Sequence, residues 1–245
     1  MFKLTLLLVV VIGTMAFSQS DSASIFTTTD NAIITVDDTA IVKSILGQCG
    51  ITDRGVSDVA VFENGRAVSL DLSNKDVTKD GFKVLPSDIG KLVALRTLIC
   101  KNNRIDSIPL ELIYCSQLVK LDLSNNSIVE IPLEFGRMTN IVSIDMRYNR
   151  LEYLPYTIGN LKQLEVLHLW GNLLSTIPGL MTLLPALKEL YLRDNRLVSL
   201  PQELTTMQSL KYIDVVGNKL CDIDPLVDAW LKIKDKSYRQ GQKCW

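Results

Sequence analysis

Two acidic side chains near the middle of the sequence are the first candidates for chemistry. Asp122 and Asp145 stand at equivalent positions of neighbouring repeated segments, so on a parallel sheet they would lie about 4.8 Å apart. Carboxylates at that separation are ligands for a divalent cation. However, Lys101, Lys120 and Arg147 occupy adjacent positions and neutralise the pair without a metal. We therefore expect no metal site.

Catalytic residue patterns are otherwise missing. His168 is the only histidine, so a histidine cluster is excluded, and no serine or cysteine is paired with a base by its spacing. The sequence also lacks a glycine-rich phosphate loop and a paired-cysteine metal motif. We expect a protein that is not an enzyme and needs no cofactor.

A group of aromatic and basic side chains indicates binding instead. Its members recur at or beside the exposed positions of four successive repeats: Arg147, Tyr148, His168, Trp170, Tyr191, Arg193 and Tyr212. Exposed Trp, Tyr and Arg are typical of binding hot spots, because they bury much area with few lost rotamers. Aromatic residues also pair across strands and stabilise a sheet. We favour binding, because Trp170 has no packing reason to stand on an open face.

An internal repeat positions these residues. Copies of L-x-x-L-x-L-x-x-N-x-L start 23 residues apart, at Leu95, Leu118, Ile141, Leu164, Leu187 and Leu210. An earlier copy starts at Ala67, 28 residues before the next, because TKDGFKV contains an insertion of five. With the Ile-Pro or Leu-Pro that follows, the pattern resembles the 23-residue class of the leucine-rich-repeat family, from Ala67 to about Asp224.

The repeat predicts an α/β leucine-rich-repeat solenoid of seven coils over residues 67–220, bent into a horseshoe. Strands of about three residues form a parallel sheet, with positions 3, 5 and 7 of each copy on its concave face. The ninth position satisfies main-chain groups where the strand ends, in Asn103, Asn126, Asn149, Asn172, Asn195 and Asn218. The prolines fix the return segment, where no ladder hydrogen bond is needed.

A solenoid exposes core and sheet edge at both ends and therefore needs caps. Residues 37–66 combine an amphipathic run around Ile41–Leu46 with a hairpin signal at Asn64-Gly65, and so predict a helix and an antiparallel strand. Residues 221–245 predict a second cap, with a helix over Pro225–Lys232. That helix should bury Leu226, Trp230 and Leu231.

The five cysteines fall into three groups. Cys221 and Cys244 flank the last segment, where closing a loop of about 20 residues contributes about 3 kcal/mol, so we expect a disulfide between them. Cys100 and Cys115 occupy repeat positions that elsewhere hold Leu, Met or Val, and we expect small core residues there. The sequence leaves the state of Cys49 open.

The beginning of the chain is typical of export. Lys3, a short apolar run and the small residues Ala16 and Ser18 predict a signal peptide over residues 1–18, followed by a flexible tail over residues 19–36. No other segment is long and apolar enough to span a membrane. The formal net charge of −1 and the absence of a basic stretch argue against nucleic acid or an anionic membrane as a partner.

Three functions are compatible with this organisation. The resemblance implies a secreted, extracellular recognition module that holds a protein or peptide on its concave face. The alternative is a carbohydrate-binding protein of the cell wall, in which Trp170 and Tyr191 stack on the sugar rings of a polysaccharide. An intracellular type of signalling adaptor is the third, and it requires that the leader is not a signal peptide.

Overall fold

The computed structural model describes residues 37–74 and 80–244. The expected signal peptide and tail lie outside these residues. The described part contains one eight-stranded sheet whose strands follow one another in chain order. The strands are β1 Ala60–Glu63, β2 Arg66–Asp71, β3 Thr97–Ile99, β4 Lys120–Asp122, β5 Ser143–Asp145, β6 Val166–His168, β7 Glu189–Tyr191 and β8 Tyr212–Asp214.

The pairing of the strands confirms the predicted leucine-rich-repeat solenoid. β1 is antiparallel to β2, and every later pair is parallel. Residues at the same repeat position lie opposite one another: Asp122 pairs with Asp145, and Asp145 with His168. The register holds because each coil repeats the same apolar spacing and stacks only on its neighbours.

Short 3₁₀ helices return the chain to the next strand. Each begins directly after a proline whose φ lies between −57° and −69°, a value that the pyrrolidine ring sets in advance. In the described residues these helices are Ser87–Lys91, Leu110–Tyr114, Leu133–Arg137, Tyr156–Asn160, Gly179–Leu183 and Gln202–Thr206. The predicted role of the prolines is therefore correct.

One continuous core runs along the solenoid, built from the apolar repeat positions. Cys100 and Cys115 are fully buried in it as free thiols, as their repeat positions predicted. Cys49 is also buried and free. Burial raises the pKa of the Cys49 and Cys115 thiols to about 12, so both stay protonated and unreactive at neutral pH.

The asparagine column ties neighbouring coils together. The Asn126 side-chain nitrogen donates to the main-chain oxygens of Leu123 in its own coil and Cys100 in the preceding one, and its oxygen accepts from the Ile105 N–H. The same three contacts recur in every later coil. These side chains therefore serve the scaffold, as predicted.

The front of the solenoid carries helices α1 Thr39–Gln48 and α2 Val56–Val59 before the β1–β2 hairpin. Asn64 and Gly65 both have positive φ, 49° and 76°, which is the backbone that a two-residue hairpin turn requires. The buried Asp38 carboxylate accepts from the Ala67 N–H at 2.9 Å and pairs with Arg66 at 3.1 Å, and so joins the start of α1 to β2.

The rear of the solenoid differs from the prediction in which residues of its helix are buried. Helix α3 spans Pro225–Lys234, and Asp224 caps it by accepting from two main-chain N–H groups. Val227 and Leu231 are its buried residues, and Trp230 packs half-buried against the core, whereas Leu226 is 60% exposed and the prediction that it would be buried is wrong. Val227 belongs to the continuous core in the place predicted for Leu226. The predicted disulfide between Cys221 and Cys244 is present.

Candidate functional site

The sheet register brings the expected binding residues onto adjacent strands. His168 lies beside Tyr191, and Tyr191 beside Asp214, because all three hold position 5 of successive coils. Tyr212 occupies position 3 of the last parallel strand, next to Glu189. We call the seven predicted residues on these strands and at their ends the aromatic patch: Arg147, Tyr148, His168, Trp170, Tyr191, Arg193 and Tyr212.

Three rings of the aromatic patch form a row across the strands. His168 stacks on Tyr191 with ring centroids 4.3 Å apart and planes 17° apart. Tyr191 in turn packs against Tyr212 at 5.1 Å and 46°. Tyr191 therefore has one ring stacked on it from the preceding coil and a tilted ring packed against it from the next coil. The cross-strand pairing that the residue types allowed is therefore present.

The row of rings has local electrostatic consequences. Burial, together with the hydrogen bond that the Tyr191 hydroxyl donates to Glu189 at 2.9 Å, raises the pKa of Tyr191 to about 12. Burial lowers the pKa of His168 below 6.5, against the opposing effect of Asp145. His168 is therefore a neutral aromatic ring at neutral pH.

Both arginines of the aromatic patch are held by aspartates. Arg147 pairs with Asp145 at 3.0 Å and Arg193 with Asp214 at 2.9 Å, the second aspartate being 6% exposed. Burial and the neighbouring Asp122 raise the pKa of Asp145, although the Arg147 N–H opposes this by donating to the same carboxylate. Position 5 thus supplies the counter-charges that orient the guanidinium groups.

Asp122 is engaged differently from Asp145. One of its carboxylate oxygens accepts from the main-chain N–H of Ser124 at 3.0 Å and from its hydroxyl at 2.6 Å. Ser124 is consequently buried, and so is Ser73 in β2's coil, although position 7 was expected to face outward. A short hydroxyl at this position folds back onto the aspartate two residues earlier and is covered there, whereas the longer Arg147 pairs with Asp145 and stays partly exposed. No group of three or more His, Cys, Asp or Glu residues in the described ranges could hold a metal ion.

Trp170 departs from the expectation of an open platform. It is half-buried, with the Tyr148 ring 5.3 Å from its own and tilted by 36°, and with the Arg147 guanidinium carbon 5.6 Å from its centroid. Its Nε1 is shielded from solvent and has no hydrogen-bond partner among the described residues. Leaving such a donor unpaired costs about 1–3 kcal/mol.

Tyr148 occupies an unusual place in the repeat. Position 8 has positive φ in successive coils, and its other occupants with that backbone are Asn102, Asn125, Gly171, Asp194 and Gly217. Tyr148 adopts φ 53°, a conformation that disfavours a bulky side chain and costs about 1–3 kcal/mol. A Cβ on Gly171 would lie 2.6 Å from the Tyr148 ring, so the next coil leaves the space that this ring fills. The sequence carries a signal of this strain, because Tyr148 stands at a repeat position that Asn, Asp and Gly occupy in the neighbouring coils.

The chain is similar in sequence and in fold to known leucine-rich-repeat proteins. A family model described as leucine rich repeat matches residues 93–151 and 162–220. A leucine-rich-repeat protein of Leptospira interrogans is similar, with 28% identity and a TM-score of 0.58 over 67% of this chain. No curated protein matches the chain.

Two plant structures are also similar. The leucine-rich-repeat ectodomain of the Arabidopsis thaliana receptor kinase GASSHO1/SCHENGEN3, solved in complex with CASPARIAN STRIP INTEGRITY FACTOR 2, has 34% identity and a TM-score of 0.52 over 56% of this chain. A plant ice-binding protein has 24% identity and a TM-score of 0.62 over 76% of it, which is a likeness of fold alone. This chain spans 46% of the Leptospira protein, 17% of the receptor ectodomain and 65% of the ice-binding protein.

Proposed function

We propose that this chain, which matches a leucine-rich-repeat family model over residues 93–151 and 162–220, is an extracellular recognition module that binds a protein or peptide segment on its concave sheet. The observation that carries the proposal is the aromatic patch, in which four successive strands or their ends carry aromatic side chains and paired arginines. Seven parallel strands give a face about 29 Å long, which is sufficient for a standard protein interface.

The arrangement of the rings favours a peptide over a polysaccharide. A sugar ring binds an aromatic side chain by lying on a free face, but His168 is stacked on Tyr191 and the tilted Tyr212 ring packs against it from the next coil. Trp170 has the Tyr148 ring and the Arg147 guanidinium against it. Ring edges with polar tips suit the mixed apolar and hydrogen-bonding surface of a peptide segment.

An extracellular location is part of the proposal. The disulfide between Cys221 and Cys244 supports it, because both residues are exposed and such bonds persist in oxidising compartments. The receptor ectodomain among the similar structures gives further support. Expression with the native leader and sequencing of the secreted protein's N-terminus should show a chain that begins near Gln19. A chain retained inside the cell with Met1 intact would instead favour the adaptor function. No helix of the described residues could cross a membrane.

Selection of random displayed peptides against the secreted chain tests the binding function. We expect enriched peptides whose affinity falls about 30-fold in the double variant Tyr191→Ala, Tyr212→Ala, because these rings lie at the centre of the proposed surface. The matched control is Lys101→Ala, Lys120→Ala, on the same sheet but outside the aromatic patch, which should leave the affinity unchanged. Equal binding by all three proteins would contradict the proposal. Glycan-array binding that Trp170→Ala abolishes would favour the carbohydrate function.

A further inference from the structure

The indole N–H of Trp170 is shielded from solvent and has no acceptor among the described residues. An indole N–H can only donate, and buried donors in folded proteins almost always have an acceptor. Trp170 Nε1 lacks one among the described residues, yet it lies inside the surface proposed to bind a peptide. A missing acceptor at such a place is one that a ligand can supply.

Two side chains flank this indole, and they differ in how firmly they are held. Arg147 is anchored to Asp145 by an ion pair of 3.0 Å and by the hydrogen bond from its own main-chain N–H. The Tyr148 side chain is half-exposed and makes no hydrogen bond to the described residues, so only ring packing holds it in place. Rotation of Tyr148 about χ1 therefore breaks no polar contact, whereas moving Arg147 separates two charges.

We propose that Tyr148 is a movable cover on the indole of Trp170, and that the uncovered Nε1–H donates a hydrogen bond to a main-chain carbonyl oxygen of the bound peptide. This inference rests on the proposed function and names the ligand chemistry of that site. The choice of a neutral acceptor follows from Arg147, because its charge is already balanced by Asp145 and offers no free cation to a carboxylate. A main-chain carbonyl is the neutral acceptor that every peptide carries.

The cover is tested in the unliganded protein. In a Trp230→Phe, Trp245→Phe background, Trp170 is the only tryptophan, and acrylamide quenching of its fluorescence reports access to the indole. Tyr148→Asn, which places at position 8 the residue found at 102 and 125, should increase the quenching constant several-fold. Tyr148→Phe retains the ring and is the matched control, with quenching as in the parent. Equal quenching in all three proteins would show that Tyr148 does not cover the indole.

The donor is tested with N-methylacetamide as a mimic of the main-chain amide. In a Tyr148→Asn protein that retains Trp230, titration should move the Trp170 Nε1–H resonance downfield in a saturable manner, and the Trp230 resonance should not move. An unmoved Trp170 resonance would overturn the donor role. This result does not depend on any selected peptide, so it is distinct from a failure of the proposed function.

The displayed peptides then test both parts together. Trp170→Phe keeps a ring but removes the N–H, and should weaken peptide binding about tenfold, the value of one hydrogen bond. Tyr148→Asn should bind more tightly than the parent, because no cover has to move. If Tyr148→Asn instead weakens binding as much as Trp170→Phe does, Tyr148 is a contact residue and the cover is wrong.

Discussion

Single side chains at the ninth repeat position hold successive coils together. The Asn149 side-chain nitrogen donates to Leu123 O and Met146 O, both at 3.0 Å, and its oxygen accepts from the Ile128 N–H at 3.0 Å. All of these main-chain groups are buried with it. The column therefore compensates the polar groups that the sheet leaves unpaired where each strand ends.

Removing one member of this column should destabilise the protein measurably. We expect Asn149→Ala to lower the free energy of unfolding by about 3 kcal/mol, because it leaves two carbonyls and one N–H without partners. Urea denaturation monitored by circular dichroism measures this. Asn160→Ala, an exposed asparagine of a 3₁₀ helix, is the control and should unfold as the parent does. A similar midpoint for both variants would contradict the role of the column.

His168 makes the stability of the protein depend on pH. Its pKa is below 6.5 in the folded chain because of burial, so the unfolded chain binds more protons as the pH falls through 6.5. The free energy of unfolding contributed by this residue is therefore present above pH 6.5 and is lost as the pH decreases. Asp145 has a pKa raised above 3.8, so its contribution to the free energy of unfolding decreases as the pH rises, which is opposite to the effect of His168.

The substitution His168→Gln isolates this effect. We compare the free energy of unfolding about one pH unit above 6.5 with that about one unit below it. The parent should be less stable at the lower pH, and the variant should lose less stability between the two pH values. Urea midpoints at the two pH values provide the measurement. A pH dependence that is as steep in His168→Gln as in the parent would assign it to other groups.

The 3₁₀ helices pack so closely on one another that some positions admit only glycine. A Cβ on Gly159 would lie 2.3 Å from the main-chain oxygen of Leu180, and one on Gly136 would lie 2.5 Å from that of Thr157. A Cβ on Gly179 would meet nothing within 4 Å, although it lies in the same type of helix. Close stacking of coils, and not the turn itself, is what requires Gly136 and Gly159.

This difference gives a matched pair of substitutions. Gly159→Ala should destabilise by about 3 kcal/mol, because backbone of the next coil must shift to accept the methyl group. Gly179→Ala should be neutral or stabilising by about 0.5 kcal/mol, because it only reduces the freedom of the unfolded chain. Thermal unfolding of the two variants compares them directly, and equal melting temperatures would refute the packing argument.

At the level of the whole molecule, stability depends on closing the ends of the solenoid. The last coil is covered by α3 and the segment after it, where Gly217 N–H donates to Gln240 O and Lys243 N–H to Asn218 O. The disulfide joins Cys244 back to Cys221, across 23 residues. The end of the sheet is thus closed by a covalent loop.

Opening that loop should weaken the entire solenoid. We expect Cys221→Ser, Cys244→Ser to lower the free energy of unfolding by about 3 kcal/mol, because the unfolded chain gains the entropy of an open loop. Reductant should lower the melting temperature of the parent to that of the variant and leave the variant unchanged. A parent that melts identically with and without reductant would show that the bond does not contribute.

Much of this structure was predictable because each coil contacts only its neighbours. The spacing of apolar residues determined the parallel sheet and the core positions of Cys100 and Cys115, and the asparagine repeated at the ninth position determined the asparagine column. The Asn64-Gly65 pair determined the hairpin, since few other residues adopt two successive positive φ angles. These features depend on residue type and period, which the sequence states directly.

Only the tertiary structure decided how the side chains of the aromatic patch are arranged. The sequence placed Trp170 on the sheet but did not show that Tyr148 and Arg147 pack against it, or that its Nε1 lacks a partner. Likewise Ser124 was buried against Asp122, and Val227 was buried in place of Leu226. These outcomes arise from competition between side chains of different coils for the same space and the same hydrogen-bonding groups. That competition depends on distances between coils, which no period in the sequence encodes.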